Sequence, residues 1–170
     1  MCPLYNSSDY NRDFGEENKY MSDLSEKLLS QVTEDTPCGP YLDDTVDLYS
    51  EFKELEQFAL GKEEQVMGDS VIAAVEPNWS KAGEVSRKLF NGTKDLRVAC
   101  YLTQSLMKKA GFTGLLDGLV LIQCMLEEYW EEVHPQLIID DDPDPDYRLN
   151  AISYLGYESF LHSLSNINMV

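Results

Sequence analysis

The stretch TKDLRVACYLTQSLMKKAGFTGLLDGLVLIQCMLEEYWEEVHP, residues 93–135, decides the fold. Its apolar residues recur every three or four positions, which predicts helix. Gly111 divides the stretch into two helices, because glycine is a common residue at a helix C-terminus. The first helix is predicted to begin at Thr93 and the second to run from Thr113 to Pro135. The second is the longer and more apolar, so we expect it to be the central helix.

Three more amphipathic helices are predicted upstream. Ser22 can cap the first, which ends at the prolines within residues 36–40. The second follows the capping residues 43–45 and ends at Gly61. Asn78 can cap the third.

The remaining segments complete a helical bundle. Residues 62–77 show no clear period and predict a loop, whereas residues 91–92, Asn-Gly, favour a left-handed cap on the third helix. After an acidic, proline-broken loop at residues 140–146, one more helix is predicted over residues 151–164. The expected fold class is all-α, a bundle of about six mostly antiparallel amphipathic helices.

The domain organisation follows from where this periodicity begins. Residues 1–20 lack it, so we expect a flexible N-terminal arm or extension. We expect residues 21–170 to form a single helical domain, because 170 residues are enough for one core.

The charge of the chain is strongly negative and limits its partners. Thirteen Lys and Arg against 31 Asp and Glu give a net charge of −18. Such a field repels phosphate backbones and anionic lipids, so nucleic acid and membrane surfaces are poor candidates. The acidity favours solubility, attraction to a basic partner surface, or both.

The sequence also predicts a cytoplasmic protein. The start of the chain is acidic and polar, unlike a signal peptide. The most apolar stretch, residues 115–126, is interrupted by Asp117, Gly118 and Gln123, so no membrane span is predicted. The four cysteines are far apart in sequence, which indicates free thiols in a reducing compartment: Cys2, Cys38, Cys100 and Cys124.

No catalytic motif is found. His134 stands directly before Pro135, with no His or Cys at metal-ligand spacing. We expect its imidazole to cap the last carbonyls of the preceding helix or to bond a loop carboxylate. No nucleophile, base and oxyanion donor converge in the sequence, so neither an enzyme nor a cofactor is predicted.

The acidic loop leaves one chemical alternative open. Its alternating aspartates at residues 142–146 begin like a calcium loop, but Tyr147 stands at the glycine position and Ser153 at that of the bidentate glutamate. A carboxylate-based or metal-dependent hydrolase would use these groups or the helix glutamates. The simpler prediction is that the aspartates cap the next helix and pair with Arg148 or a lysine.

An ordered series of short motifs runs through the chain. They are PCGP at 37–40, LE at 55–56, GKEEQ at 61–65 with Gly68, Trp79, TKDLRV at 93–98, the glycine-rich 111–118, YW at 129–130, VHP at 133–135, Asp144 and RLNA at 148–151. Together they resemble the ImpA-type N-terminal domain of TssA-family proteins. The resemblance covers about Pro37 to Leu155, and the chain departs from the usual pattern at Cys38, at Tyr41 and in the arm before Met21.

The resemblance implies a non-catalytic, cytoplasmic component of the bacterial type VI secretion system. Such proteins contact the membrane complex, the baseplate, and the sheath or tube, and use no cofactor. Full-length members form a ring-shaped homo-oligomer through a C-terminal region, for which 170 residues leave no room. The related TagA proteins share the domain type, so a TagA-like stopper of sheath extension is the alternative.

We expect the motif residues to be structural, and none is singled out for partner binding. Asp95 is predicted in the first turn of a helix, where the helix dipole stabilises a carboxylate. Arg97 is expected to pair with a buried acid such as Glu56. Trp79 and Trp130 are expected in the core. The full set is Pro37, Gly39, Glu56, Trp79, Asp95, Arg97, Trp130, His134, Pro135 and Arg148.

Overall fold

The computed structural model describes residues 22–62, 64–67, 70–139 and 142–167. The predicted arm, residues 1–20, lies outside them. The helices in this part of the chain are α1 (Asp23–Leu29), α2 (Val46–Leu60), α3 (Trp79–Leu89), α4 (Leu96–Glu128), α5 (Asp146–Ser153) and α6 (Glu158–Ser165). Short antiparallel pairs join β1 (Gln65–Met67) to β2 (Ser70–Ile72) and β3 (Ile138–Ile139) to β4 (Asp142–Pro143). The helices share one hydrophobic core, and the predicted all-α class is confirmed.

The predicted helix ends are present at three positions. The side-chain oxygen of Ser22 accepts a hydrogen bond from the N–H of Ser25 at 3.3 Å and so caps α1. Asn78 caps α3 in the same way, accepting from the N–H of Lys81 at 3.1 Å. Gly61 follows α2 with φ of +68°, a value that glycine adopts without steric cost. These ends depend on local chemistry, which the sequence shows directly.

Helix α4 folds back on itself at the predicted break. Ala110 has φ of −130° and Gly111 has φ of +61°, so neither continues the helix. The chain then reverses, and residues 112–128 run antiparallel to residues 96–109. These segments are named the second arm and the first arm of α4.

Two glycines let the arms touch. A Cβ on Gly114 would lie 2.0 Å from the carbonyl oxygen of Leu106, and a Cβ on Gly118 would lie 2.7 Å from the Cα of Thr103. Both distances are far below van der Waals contact. The glycine-rich motif at residues 111–118 therefore provides the close backbone approach that the hairpin needs.

The first arm is the central helix, so the expectation that the second arm would be central was wrong. Residues 98–107 are all buried. This run contains polar residues, so the sequence pattern does not show that it is buried. These polar side chains can be buried because they form hydrogen bonds within the protein. For example, Thr103 donates to the carbonyl of Ala99 at 2.8 Å. Three large side chains of the second arm are instead about half exposed: Phe112, Leu116 and Leu119.

By length and mean hydropathy alone, α4 could cross a membrane. The reversal at residues 110–111 divides it, however, and leaves an apolar second arm that is shorter than the roughly 20 residues of a spanning helix. Helix α4 also packs against α1 and α3. These contacts are those of a core helix.

Three further details differ from the sequence prediction. Residues 62–77 contain the β1–β2 pair and a bridge between Lys62 and Val75, so they are more ordered than a loop. Gly92 has no positive φ, so the left-handed cap predicted there is wrong. The helix predicted over residues 151–164 begins earlier, at Asp146, and is divided by a 3-10 turn, Tyr154–Gly156.

We predict that Gly114→Ala destabilises the protein by about 1–3 kcal/mol, because the added methyl must displace the backbone of the first arm. Gly156→Ala is the matched control, since its Cβ would meet nothing within 4 Å. Thermal unfolding should show a midpoint lower by several degrees for the first variant and almost unchanged for the second. Equal midpoints would contradict the close hairpin.

Candidate functional site

Three sequence motifs meet at one buried junction. It consists of residues 37–40, 93–96 and 133–135. The N–H of Lys94 donates to the carbonyl of Cys38 at 2.8 Å, and the N–H of His134 donates to the carbonyl of Lys94 at 3.0 Å. The N–H of Leu96 donates to the carbonyl of His134 at 2.8 Å. The middle segment is thus an extended connection bonded on both sides, which is why α4 begins at Leu96 and not at Thr93.

The same junction ends the second arm early. Helix α4 stops at Glu128, and Tyr129 closes the following turn through its carbonyl, which accepts from the N–H of Val133 at 2.8 Å. The Tyr129 hydroxyl donates to the carbonyl of Leu29 at 2.6 Å and ties this turn to α1. Pro135 was predicted to terminate the helix, but the chain has already left it to pair with residues 94–96.

His134 is a buried part of the junction. Its Nε2 lies 3.0 Å from the carbonyl oxygen of Gly39, and only 2% of the residue is exposed. It neither caps helix carbonyls nor bonds a loop carboxylate, so that expectation was wrong. Its Nδ1 has no hydrogen-bond partner among the described residues. Position 39 requires glycine because the backbone of Gly92 approaches it closely. A Cβ on residue 39 would lie 2.3 Å from the carbonyl oxygen of Gly92.

Arg148 holds the far side of the junction. Its guanidinium donates to three carbonyl oxygens, those of Trp130 at 2.7 Å, Val133 at 2.9 Å and Pro135 at 2.7 Å. Neither Asp144 nor Asp146 pairs with Arg148 as predicted, and residues 140–141 of the loop lie outside the described part of the chain. Trp130 was expected in the core, but it is 48% exposed and packs over the guanidinium at 5.0 Å.

Two further residues of the motifs, Trp79 and Asp144, lie at the starts of helices. Trp79 is partly buried and packs against the core at the start of α3. Asp144 caps the start of α5, where its Oδ1 accepts from the N–H of Asp146 at 2.9 Å. That bond fits the prediction that the loop aspartates cap the next helix.

Arg97 is held by two carboxylates. Its Nε and Nη2 donate to Asp95 at 3.1 and 2.8 Å, and its Nη1 donates to Asp43 at 3.0 Å. Asp95 is fully buried, caps α4 through the N–H of Arg97, and so fixes the backbone and side chain together. Burial, the largest single effect, lowers the pKa of Arg97. The hydrogen bonds and charge of Asp95, together with the electrostatic effects of Tyr41 and Asp43, outweigh burial and raise the pKa.

The expected pair of Arg97 with Glu56 is wrong. Glu56 instead accepts from Lys53, one turn earlier on α2, at 2.7 Å. The guanidinium of Arg97 lies between the rings of Tyr41 and Phe52, 5.4 and 5.1 Å from their centroids. Arg97 therefore forms part of an aromatic wall.

This wall belongs to a groove with a volume of about 450 Å³. Helices α2, α4 and α5 surround it, together with two 3-10 turns, Leu42–Asp44 and Tyr154–Gly156. Its charged side chains are Asp43, Lys53, Glu56 and Arg97. Its aromatic side chains are Tyr41, Tyr49, Phe52, Tyr101, Tyr147, Tyr154 and Tyr157.

The aromatic rings of the groove contact one another in a series. Tyr101 lies 6.2 Å from Phe52 and 4.7 Å from Tyr154, and Tyr154 lies 5.8 Å from Tyr157. The hydroxyl of Tyr154 donates to the side-chain carbonyl of Gln104. Burial raises the pKa of Tyr101 to about 12, so this phenol is neutral at physiological pH. The groove thus offers stacking faces and neutral hydroxyls.

Sequence reasoning missed the tyrosines of the groove. They come from four separate segments, so no local motif groups them. One signal was present, because Tyr147, Tyr154 and Tyr157 recur at helical spacing within a polar segment. Tyr147 and Tyr157 are 50% and 54% exposed, which makes them available to a partner.

Comparison with known proteins identifies the family. A family model described as "ImpA, N-terminal, type VI secretion system" matches residues 29–156. The chain belongs to this family. The resemblance inferred from the motifs is therefore confirmed. The junction lies within the matched region of this ImpA-type domain, as does the groove except for Tyr157.

Two relatives are similar over most of the chain. The type VI secretion system component TssA1 of Pseudomonas aeruginosa is 41% identical over 143 residues, which cover 84% of this chain and 40% of that protein. A solved structure from Burkholderia cenocepacia is described as the N-terminal domain, including the conserved ImpA_N region, of the TssA component. It aligns with a TM-score of 0.59 at 28% identity, covering 80% of this chain and 48% of that one. The chain thus spans less than half the length of each relative.

We predict that Arg97→Ala lowers the free energy of unfolding by about 3 kcal/mol, because it leaves the buried Asp95 without its cation. Lys53→Ala is the control, because it also removes a cation of the groove but only from a pair with Glu56 that is partly exposed. Its cost should be below about 0.5 kcal/mol. Denaturant titration of both variants checks this, and similar losses would contradict the assignment of Asp95 as the partner.

Lys94, in the junction, makes the free energy of unfolding depend on pH. Its side chain is 2% exposed and its Nζ donates to the carbonyl of Phe90 at 2.6 Å. Burial lowers the pKa of Lys94 from 10.5 to about 8. Between these values the unfolded chain keeps a proton that the folded chain has lost, so this residue favours folding increasingly as the pH rises.

We therefore predict that the stability of the natural chain relative to Lys94→Met increases between pH 8 and pH 10.5, by up to about 3 kcal/mol. Below pH 8 the difference should be constant, because both states are protonated. Comparing the two proteins by denaturant titration at each pH removes the contribution of the tyrosines and cysteines. A difference that does not change with pH would contradict the lowered pKa.

Proposed function

We propose that this chain is a non-catalytic docking domain of a TssA-type component of the bacterial type VI secretion system. Membership of the ImpA N-terminal family and the identity to TssA1 support this assignment. Only the identity to TssA1 favours it over a TagA-like stopper, because TagA proteins share the domain type. The aromatic groove is the observation that carries the docking role. Concave surfaces with partly exposed tyrosines are typical of binding sites that depend on a few residues.

The proposed occupant is a basic segment of another component of the secretion system. The carboxylates of the groove, Asp43 and Glu56, are each paired with a cation of the chain. The local attraction therefore comes from the tyrosine faces, because they attract the cations of lysine and arginine. The net charge of −18 adds long-range attraction for a basic partner. Membrane-complex, baseplate, sheath and tube proteins are the candidates, and the contact would take place in the cytoplasm.

The full-length protein is proposed to form a ring-shaped homo-oligomer through sequence that this chain does not contain. The groove would then be repeated around the ring. Repetition strengthens weak binding, because later contacts become intramolecular. A groove of modest affinity is sufficient for an assembly adaptor of this kind.

We propose no enzymatic role for the groove. Its aromatic hydroxyls are poor bases, since burial raises the pKa of Tyr41 and of Tyr101 to about 12. His134 lies in the junction, where its Nε2 is 3.0 Å from the carbonyl oxygen of Gly39, and does not line the groove. Over the described ranges, no three His, Cys, Asp or Glu side chains are arranged to hold a metal ion.

The test is direct binding of purified secretion components to the chain by calorimetry. Each membrane-complex, baseplate, sheath and tube protein is titrated separately. We expect one of them to bind, and the double variant Tyr147→Ala, Tyr157→Ala to weaken that binding by about tenfold or more, since removal of anchoring aromatics costs more than about 1–2 kcal/mol.

Leu60→Ala, Leu116→Ala is the matched control. It also removes two exposed apolar side chains, but neither lines the groove. Its affinity should stay within about twofold of that of the natural chain, since exposed side chains away from the contact are energetically near neutral. Equal weakening by both double variants, or no binding by any component, would contradict the proposal.

A further inference from the structure

A second cleft has a charge opposite to that of the whole chain. It has a volume of about 340 Å³ and lies between α3 and the end of the first arm of α4. Its charged side chains are Arg87, Lys108, Lys109 and Glu84. Three positive groups and one negative group give the cleft a net charge of +2 in a chain of net charge −18.

None of these three cations forms an ion pair with an acid in the part of the chain that the structure describes. Arg87 makes one hydrogen bond, from its Nη1 to the carbonyl of Gly83 at 3.0 Å. By contrast, Lys88, next to Arg87 in sequence, pairs with Glu51 at 2.7 Å. Acidic residues outnumber basic ones by 31 to 13, so internal partners would be easy to supply. The cleft instead leaves its cations available.

The start of α3 adds to this positive field. Trp79 and Ser80 line the cleft and form the first turn of the helix, where the helix dipole is positive. No acidic residue occupies that first turn. The start of α3 is attached to α4, because the hydroxyl of Ser105 donates to the carbonyl of Trp79 at 2.7 Å.

We propose that this cleft binds a short acidic segment, rich in Asp or Glu, of a partner protein. Charge complementarity supports this occupant, because three cations and a helix N-terminus converge on a space that a single carboxylate borders among the residues the structure describes. The proposal does not depend on the aromatic groove, which would bind a segment of opposite charge. The two sites give this one domain two distinct kinds of contact.

The dimensions and the field of the molecule favour a short segment. The cleft has roughly ten times the ~30 Å³ that one water molecule occupies in the liquid, so it exceeds the needs of a single small anion. The negative charge of the rest of the chain repels a long polyanion. At physiological ionic strength that repulsion is screened beyond about 8 Å, so the cations dominate for groups that enter the cleft.

The test uses a fluorescein-labelled peptide of a few glutamates and fluorescence anisotropy with the 170-residue chain. We expect saturable binding at low salt that weakens as salt is added, and no binding of the same peptide made with glutamines. The variant Lys108→Gln, Lys109→Gln should lower the affinity about tenfold or more, the scale of losing about 1.4 kcal/mol. Both lysines are exposed, so the fold should be unaffected.

Lys27→Gln, Lys62→Gln is the matched control, because it removes two exposed lysines that do not line the cleft. The affinity of this variant for the glutamate peptide should stay within about twofold of that of the natural chain, because salt screens charges that are distant from the cleft. Equal losses in the two variants would mean unspecific attraction and would overturn the proposal. So would absence of peptide binding at low salt, or displacement of the peptide by inorganic phosphate at an ionic strength where sodium chloride has no effect.

Discussion

The buried peptide groups of residues 93–96 set the arrangement of the fold. Every buried N–H and C=O needs a partner, and an unpaired one costs about 1–3 kcal/mol. The segment finds its partners in two turns that are distant in sequence, one at Cys38 and one at His134. Arg148 then donates hydrogen bonds to two carbonyls of the second turn, those of Val133 and Pro135. Four separate parts of the chain are thereby fixed relative to one another.

This arrangement positions the groove. Asp95 caps the first arm of α4 and also holds the guanidinium of Arg97, so the side chain is as rigid as the helix end. Tyr41 and Pro135 reach the groove from the two turns of the junction. The same arm then carries Ser105 and Lys108 into the basic cleft. One central helix therefore lines both the aromatic groove, whose two acids and two cations balance, and the basic cleft.

The sequence predicted what depends on neighbours along the chain. The caps at Ser22 and Asn78 and the reversal at Gly111 follow from side-chain oxygens and from glycine geometry, so local patterns sufficed. The partner of Arg97 was not predictable in this way. Asp43 reaches it through tertiary packing, and the bond to Asp95 requires a cap conformation that a uniform helix lacks. The groove was missed for the same reason, since only folding brings its tyrosines together. The burial of the first arm was hidden by hydroxyls that are bonded internally.

The hairpin of α4 has a consequence for the order in which the chain folds. Gly114 and Gly118 meet Leu106 and Thr103 across short loops, and short loops close with little entropy loss. The junction joins residues that are much farther apart along the chain, which makes its contacts slow to form. Loop length alone therefore favours pairing of the two arms over formation of the junction. The groove beside the junction likewise depends on side chains that are far apart along the chain, from Tyr41 to Tyr157.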